Sequence, residues 1–275
     1  MTGRARYLAL DIGGTWTRAA LLRERSIRFI RLATAEPQTT MRDLLAFATC
    51  GGRMPDRVSL ARAFDIDGGG LCADWPSRPD WQGFDIGRAL AGLQMGALAP
   101  LHCDDGRAAA MAEARVAGTD DALAAVQFGT GLAIGISIRA EPMFLGDGSL
   151  VLAHSPVPAS NALCRCGRRG CLQLYLAPAA GEPDRDRFCQ ALDLLVDRLR
   201  QHADCSAIVF GGGRLAQVRP LIEHWGRGAP RIEWRWSNIA DCAPLLGAVA
   251  ALNPRLRGED LMRVSRTFRH DPPSG

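Results

Sequence analysis

The chain has 275 residues, 47% of them hydrophobic and 23% charged, and a formal net charge of +4. That balance fits a soluble globular protein with core enough for one large or two moderate domains, and no apolar stretch is long enough to span a membrane. All 33 basic residues are arginine, with no basic block of the kind that lines a nucleic-acid groove, and the lack of lysine excludes a Walker A phosphate loop and Schiff-base chemistry.

Tyr7–Asp11 is a short apolar run that ends in a Gly13-Gly14-Thr15 turn, and a second apolar run, Arg18–Leu22, follows at once. This pattern predicts a β-hairpin. Ser26–Leu32 alternates as a third strand does. Thr40–Ala48 has helical spacing, Val58–Phe64 reads as a strand, Leu71–Trp81 as a proline-containing loop and Ile86–Leu93 as a short helix. Leu98–Cys103 predicts a buried strand ending at Asp104-Asp105, followed by an alanine-rich helix over Arg107–Ala117. Ala124–Phe128 and Ala133–Ile138 predict a second hairpin around Gly129-Thr130-Gly131. Asp186–His202 is amphipathic, with Phe188, Leu192, Leu195, Val196 and Leu199 on one face. Ala207–Phe210 is a strand running into Gly211-Gly212-Gly213, and Pro244–Leu252 a small buried helix. The polar tail after Arg266 is expected to fray.

The two halves echo each other, because each opens with a hairpin that carries a Gly-Thr turn. The repeat predicts two related α/β domains with a cleft between them, residues 1–105 and 106–275, with the C-terminal tail able to return to the first.

Between the second hairpin and the amphipathic helix lies His154-x9-Cys164-x-Cys166-x4-Cys171. Three thiols and an imidazole at this spacing suit a tetrahedral Zn2+ site over residues 154–171, and Gly167 and Gly170 let the loop wrap around one ion. Four protein ligands leave no position for water, so the expected role is structural. The N-terminal MTGRARYLALDIGG reads as lacking a signal peptide, which predicts a reducing cytoplasmic compartment and favours metal over disulfide. The other six of the nine cysteines read as ordinary core thiols.

Glycines in a tight turn let backbone N–H groups approach an anion, and Thr15 and Thr130 add hydroxyls. Two such turns can hold a polyphosphate. Arg18 follows the first turn and can neutralise a phosphate, while Asp11 ends the first strand, where it can hold Mg2+ through water. Asp104-Asp105 lies between a strand and a helix, a place that suits a helix cap and a general base equally.

These segments together resemble the ROK family (repressors, open reading frames, sugar kinases) of the hexokinase–actin–Hsp70 superfamily. LALDIGGTWTRAALL is similar to its first phosphate motif, PLHCDDGRAAAMAE to its catalytic segment and FGTGLAIGI to its second phosphate loop. AIVFGGG and PLLGAVAAL resemble its adenosine-side motifs, and HSPVPASNALCRCGRRGCLQ its zinc signature. The resemblance implies two actin-like (ribonuclease H-like) domains and an ATP-dependent, Mg2+-requiring sugar kinase, expected as a cytoplasmic homodimer. Carried over by motif, Asp105 becomes the base for a sugar 6-hydroxyl, and His154 a zinc ligand that also reaches the sugar. Gly13, Gly14, Thr15, Gly129, Thr130 and Gly131 become the phosphate cradle, and Gly211 and Gly212 the adenosine side.

Three positions depart from the family pattern. Asp104 replaces an asparagine, and Val151 and Gln173 replace glutamates, all at places that normally meet sugar hydroxyls. RVSLARAFDIDGG also lacks the usual Gly-Pro-Gly turn. The intact acids favour a kinase of a hexose or N-acetylated amino sugar: glucose, N-acetylmannosamine or N-acetylglucosamine. The lost glutamates favour a degenerate member that binds without turnover. About six residues precede the first strand, which predicts no helix-turn-helix domain and no repressor function.

Overall fold

Two five-stranded sheets of identical plan organise the chain in a computed structural model, which describes residues 5–23, 26–95, 101–144, 152–158, 160–177, 184–228 and 231–270. The first sheet draws on β1 (Arg6–Ile12), β2 (Trp16–Arg23), β3 (Ser26–Ala33), β4 (Arg57–Arg62) and, past two short strands β5 (Asp65–Ile66) and β6 (Cys72–Asp74), β7 (Leu101–Asp104). The second draws on β8 (Leu123–Phe128), β9 (Leu132–Ile138), β10 (Glu141–Pro142), β11 (Ala207–Gly211) and β12 (Glu233–Trp236).

The orders are β3-β2-β1-β4-β7 and β10-β9-β8-β11-β12. In each, an antiparallel hairpin is extended by two parallel strands beside its first member. The internal repeat in the sequence is thus a repeat of topology. Parallel strands end on the same sheet edge, so the C-terminal ends of β1, β4 and β7 lie together, as do those of β8, β11 and β12. Such edges are where open α/β sheets place ligands.

Eight helices complete the described fold: α1 (Pro37–Thr49), α2 (Ile86–Ala91), α3 (Asp105–Ala117), α4 (Gln173–Leu176), α5 (Arg185–Ala203), α6 (Leu215–Arg227), α7 (Ala243–Leu252) and α8 (Gly258–His270). The chain divides into two compact units, 1–108 with 244–275, and 109–243, so the last two helices group with the first sheet. Among the described residues no helix is long and apolar enough to cross a membrane.

The core of the first unit gathers Leu8, Leu10, Ile12 and Leu60 from the sheet with Leu44, Phe64, Trp75, Trp81 and Ile86. The segment expected as a plain loop over Leu71–Trp81 is more ordered than its prolines suggest. β6 pairs with β5, and Trp81 is fully buried in a short 3-10 turn, its indole N–H bonded to the Ala35 carbonyl at 3.0 Å. Burial of so large a side chain outweighs the local turn chemistry.

In the second unit, α5 covers the sheet with the five apolar residues its periodicity marks. Asp184 caps its start by accepting the Arg187 N–H at 3.0 Å. Helix α6 and strand β12 have no counterpart in the sequence reading. Pro220 interrupts the helical pattern of α6, yet Val218, Ile222 and Trp225 are buried, and Trp225 donates to Asp193 on α5 at 2.8 Å. Tertiary anchoring overrides the local breaker there. The tail expected to fray after Arg266 is helical through His270: Leu261, Val264 and Ser265 are buried, and Phe268 packs edge-on against Phe29 on β3, centroids 5.4 Å apart. Of the strand expected over Leu98–Cys103, residues 98–100 lie outside the described residues, as does Val151.

Candidate active site

On the first unit, Asp11 is the penultimate residue of β1 and faces Arg18 on β2 in direct antiparallel register. The guanidinium donates to Asp11 Oδ2 at 3.0 Å, and both side chains are nearly buried. Arg18, read from sequence as a phosphate ligand, is therefore engaged in fixing the Asp11 carboxylate. The intervening turn is tied down through its carbonyls. Thr34 Oγ1 donates to the Gly13 carbonyl at 2.7 Å, and the Thr34 N–H to the Thr15 carbonyl at 2.9 Å. Because C=O and N–H of a trans peptide point in opposite directions, the Gly14 N–H faces away from Thr34. The turn thus offers a backbone donor on its outer side, with Thr15 exposed beside it.

Asp104 and Asp105 take different jobs. Asp104 caps α3 by accepting the Arg107 N–H at 2.9 Å, and its other oxygen pairs with the Arg107 guanidinium at 2.6 Å. Asp105, the first residue of α3, accepts the Gly106 N–H at 2.9 Å. Its carboxyl is pushed up to about 8 by desolvation first, then by the negative charges of Asp104 and Asp11; the Gly106 N–H and Arg62 pull the other way. A carboxyl held near neutrality is what a general base at this pH requires. Arg62, at the end of β4 and in register beside both Ile12 and Asp104, was not singled out from the sequence. Its only sequence signal is its place at the end of a buried strand.

On the second unit, the Gly129-Thr130-Gly131 turn is closed by the Gly129 N–H donating to the Gly131 carbonyl at 2.9 Å. The Gly211–Gly213 loop lies directly against it. Gly212 has φ +99°, and a Cβ there would sit 2.4 Å from the Phe128 carbonyl oxygen, one residue before the turn. Only glycine allows that approach. Gly211 is hemmed in less rigidly, by the movable end of the Gln127 side chain and by Ser237. The two glycine motifs, 80 residues apart in the chain, thus form one backbone-lined surface at the ends of β8 and β11.

The predicted metal loop brings its four donors together. The ligand atoms of His154, Cys164, Cys166 and Cys171 all lie within 4.8 Å of one another. Cys166 and Cys171 sulfurs are 3.6 Å apart, and Cys164 sulfur is 3.7 Å from His154 Nδ1. A tetrahedral ion with bonds of ~2.3 Å has ligand–ligand edges of ~3.8 Å, whereas a disulfide needs ~2.05 Å. Gly167 and Gly170 both have positive φ, as the tight wrap requires, and a Cβ on Gly170 would meet the Ser160 carbonyl oxygen at 2.7 Å. Burial and the neighbouring sulfurs push the Cys171 thiol up to about 12, a crowding of donors that a cation relieves. Gln173, two residues on, turns its amide toward this loop and toward β9.

Residues 7–193 match the model of the ROK family. A kanosamine kinase of Amycolatopsis mediterranei is 32% identical over 213 residues, an alignment that covers 72% of this chain and 68% of that protein. An N-acetylmannosamine kinase of Yersinia pseudotuberculosis is 30% identical over 177 residues, 60% of this chain and 59% of its own length. The structure of a ROK family glucokinase from Streptomyces griseus, in complex with glucose and AMPPNP, superposes with a TM-score of 0.70 at 20% identity, covering 90% of this chain and 99% of that one. A ROK hexokinase from Thermus thermophilus gives a TM-score of 0.67 at 20% identity, covering 88% and 96%. These likenesses establish a shared α/β fold.

Proposed function

Because the chain belongs to the ROK family, we propose that it is an ATP-dependent sugar kinase that phosphorylates the primary 6-hydroxyl of a hexose or an amino sugar. The observation that carries the reading is Asp105. Its carboxyl follows the end of β7 at the strand-end edge of the first sheet and is raised to about 8 by desolvation and by the negative charges of Asp104 and Asp11. In this reading Asp105 accepts the proton of the sugar hydroxyl as that oxygen attacks the terminal phosphorus and the bond to the leaving ADP oxygen breaks. Asp104 holds the start of α3, and so the position of its neighbour, through its cap and its Arg107 pair.

Each glycine turn, with its threonine (Thr15 in the first unit, Thr130 in the second), presents donors suited to a phosphate, and Gly211 and Gly212, beside the second turn, would border the adenosine. Asp11, oriented by Arg18, would hold through water the Mg2+ that accompanies ATP, whose charge offsets that of the phosphates. His154, Cys164, Cys166 and Cys171 suit Zn2+ by number, chemistry and spacing. Four ligands close the shell, so the metal would shape the loop and leave catalysis to other groups.

The test is an ADP-release screen with Mg2+-ATP over glucose, N-acetylglucosamine, N-acetylmannosamine, mannose, fructose and kanosamine, with the phosphorylated position read by NMR. Turnover of one or more with the phosphate on O6 supports the reading. A chain that binds a sugar and ATP yet releases no ADP is the degenerate binder that the changed residues Val151 and Gln173 favour.

A further inference from the structure

Each five-stranded sheet is built on the same hairpin, and the penultimate residue of the hairpin's first strand holds the same place in both. In the first sheet that residue is Asp11, opposite Arg18 on β2 and Ala61 on β4. In the second it is Gln127, opposite Ala133 on β9 and Gly211 on β11. Asp11 receives the guanidinium of its hairpin partner. Gln127 has no such neighbour, because neither alanine nor glycine carries a polar side chain. Next along the same face stand Ala125, Gly135 and Val209, which carry none either.

Gln127 is only 5% exposed, and among the described residues neither its Oε1 nor its Nε2 has a hydrogen-bond partner. The amide rests against Gly211, with Nε2 2.7 Å and Oε1 3.0 Å from where a Cβ there would be. Ser237 reaches the same glycine, its Cβ 3.1 Å from that point. The Ser237 hydroxyl is already committed, donating to Glu113 and accepting from the Ile239 and Ala240 N–H groups. Burying an unbonded amide works against folding, and native proteins keep such groups mainly where function uses them. Gln127 lies two residues before the Gly129–Gly131 turn and touches the first glycine of the Gly211–Gly213 loop. Its two amide hydrogens suit the oxygens of an anion.

We propose that Gln127 is a nucleotide-binding residue, its amide donating to a phosphate oxygen held at the Gly129–Gly131 turn. This rests on the reading of that turn as a phosphate site. A residue of this kind weakens the ligand-free fold and strengthens the complex.

The experiment compares wild type with Gln127→Met, which keeps the length of the side chain and removes its polar atoms. Calorimetry measures the binding of Mg2+-ATP and of adenosine, which carries no phosphate, and thermal melts measure the ligand-free proteins. Gln127→Met is expected to bind ATP about 10–100-fold more weakly. It should bind adenosine as wild type does, and without ligand it should melt at the same or a higher temperature. Equal ATP affinity in the two proteins overturns the assignment of Gln127 and leaves the turn as a phosphate site. A loss as large for adenosine as for ATP puts the amide against the nucleoside and overturns it too. A ligand-free variant that melts well below wild type shows that the amide is bonded within the fold, which also overturns it. If wild type binds no ATP, the phosphate reading falls and the role of Gln127 with it.

Discussion

If Asp105 is the base, activity must follow its ionisation. Its carboxyl is raised from 3.8 to about 8, by desolvation first and then by Asp104 and Asp11. At pH 7 about one molecule in ten is then ionised in the ligand-free protein. With both substrates below saturation, the rate reports that form. It should climb about tenfold per pH unit between pH 6 and 7 and level off above about 8. Asp104→Asn removes the second-largest cause of the shift, keeps a capping side chain and should move the midpoint down, raising the rate at pH 7. Arg62→Ala removes a cation that favours the carboxylate and should move it up. Asp105→Asn should cost roughly 10²–10⁴-fold in turnover with folding intact. Stability offers an independent check. An acid raised on folding contributes fully below its unfolded value, and that contribution is lost as pH rises through the folded value. Wild type should therefore lose stability relative to Asp105→Asn between about pH 4 and about pH 8. A pH–rate profile flat from 6 to 9, or an Asp105→Asn variant as active as wild type, would refute the reasoning.

If the proposed site holds its ion, metal analysis should find about one Zn2+ per folded chain, lost in Cys166→Ser, and chelation should lower Tm; a metal-free chain with unchanged Tm contradicts this. Glu113 on α3 is buried, accepts from Ser237 and is pushed up to about 7 chiefly by desolvation, so wild-type stability should fall as pH rises from about 4.5 to about 7. Glu113→Gln should remove the part of that fall due to Glu113, at most ~3 kcal/mol, and leave the part due to Asp105, so wild type should lose stability relative to Glu113→Gln over this range; parallel melting curves for the two would show that the carboxyl is not raised. Gly212→Ala combines φ +99° with a Cβ 2.4 Å from the Phe128 carbonyl and should destabilise by ~3 kcal/mol or more in urea unfolding; a loss under ~1 kcal/mol would mean that the loop relaxes freely.

What the sequence determined by itself is what short-range periodicity encodes. The two Gly-Thr hairpins, the apolar face of α5 and the spacing of His154, Cys164, Cys166 and Cys171 are local patterns, and each is found where it was expected. The duplicated topology followed from reading the two hairpins as repeats. Elements held by distant partners were illegible: α6, whose Pro220 is tolerated because Trp225 is anchored on α5, and α8, whose Phe268 finds Phe29 more than 200 residues away. The same limit applies to the site. Spacing left capping and catalysis equally open for Asp104 and Asp105, and only the helix start separates them, because one carboxylate receives the Arg107 N–H while the other is desolvated and raised by its acidic neighbours. Arg18 reads as a free cation until β1 and β2 pair it with Asp11, and Gln173 reads as a lost glutamate until the fold sets it between Cys164 and Leu132. Residue type states which bonds a side chain can make. Which it does make depends on the groups that chain folding brings within about 3 Å, and those groups are far away in sequence.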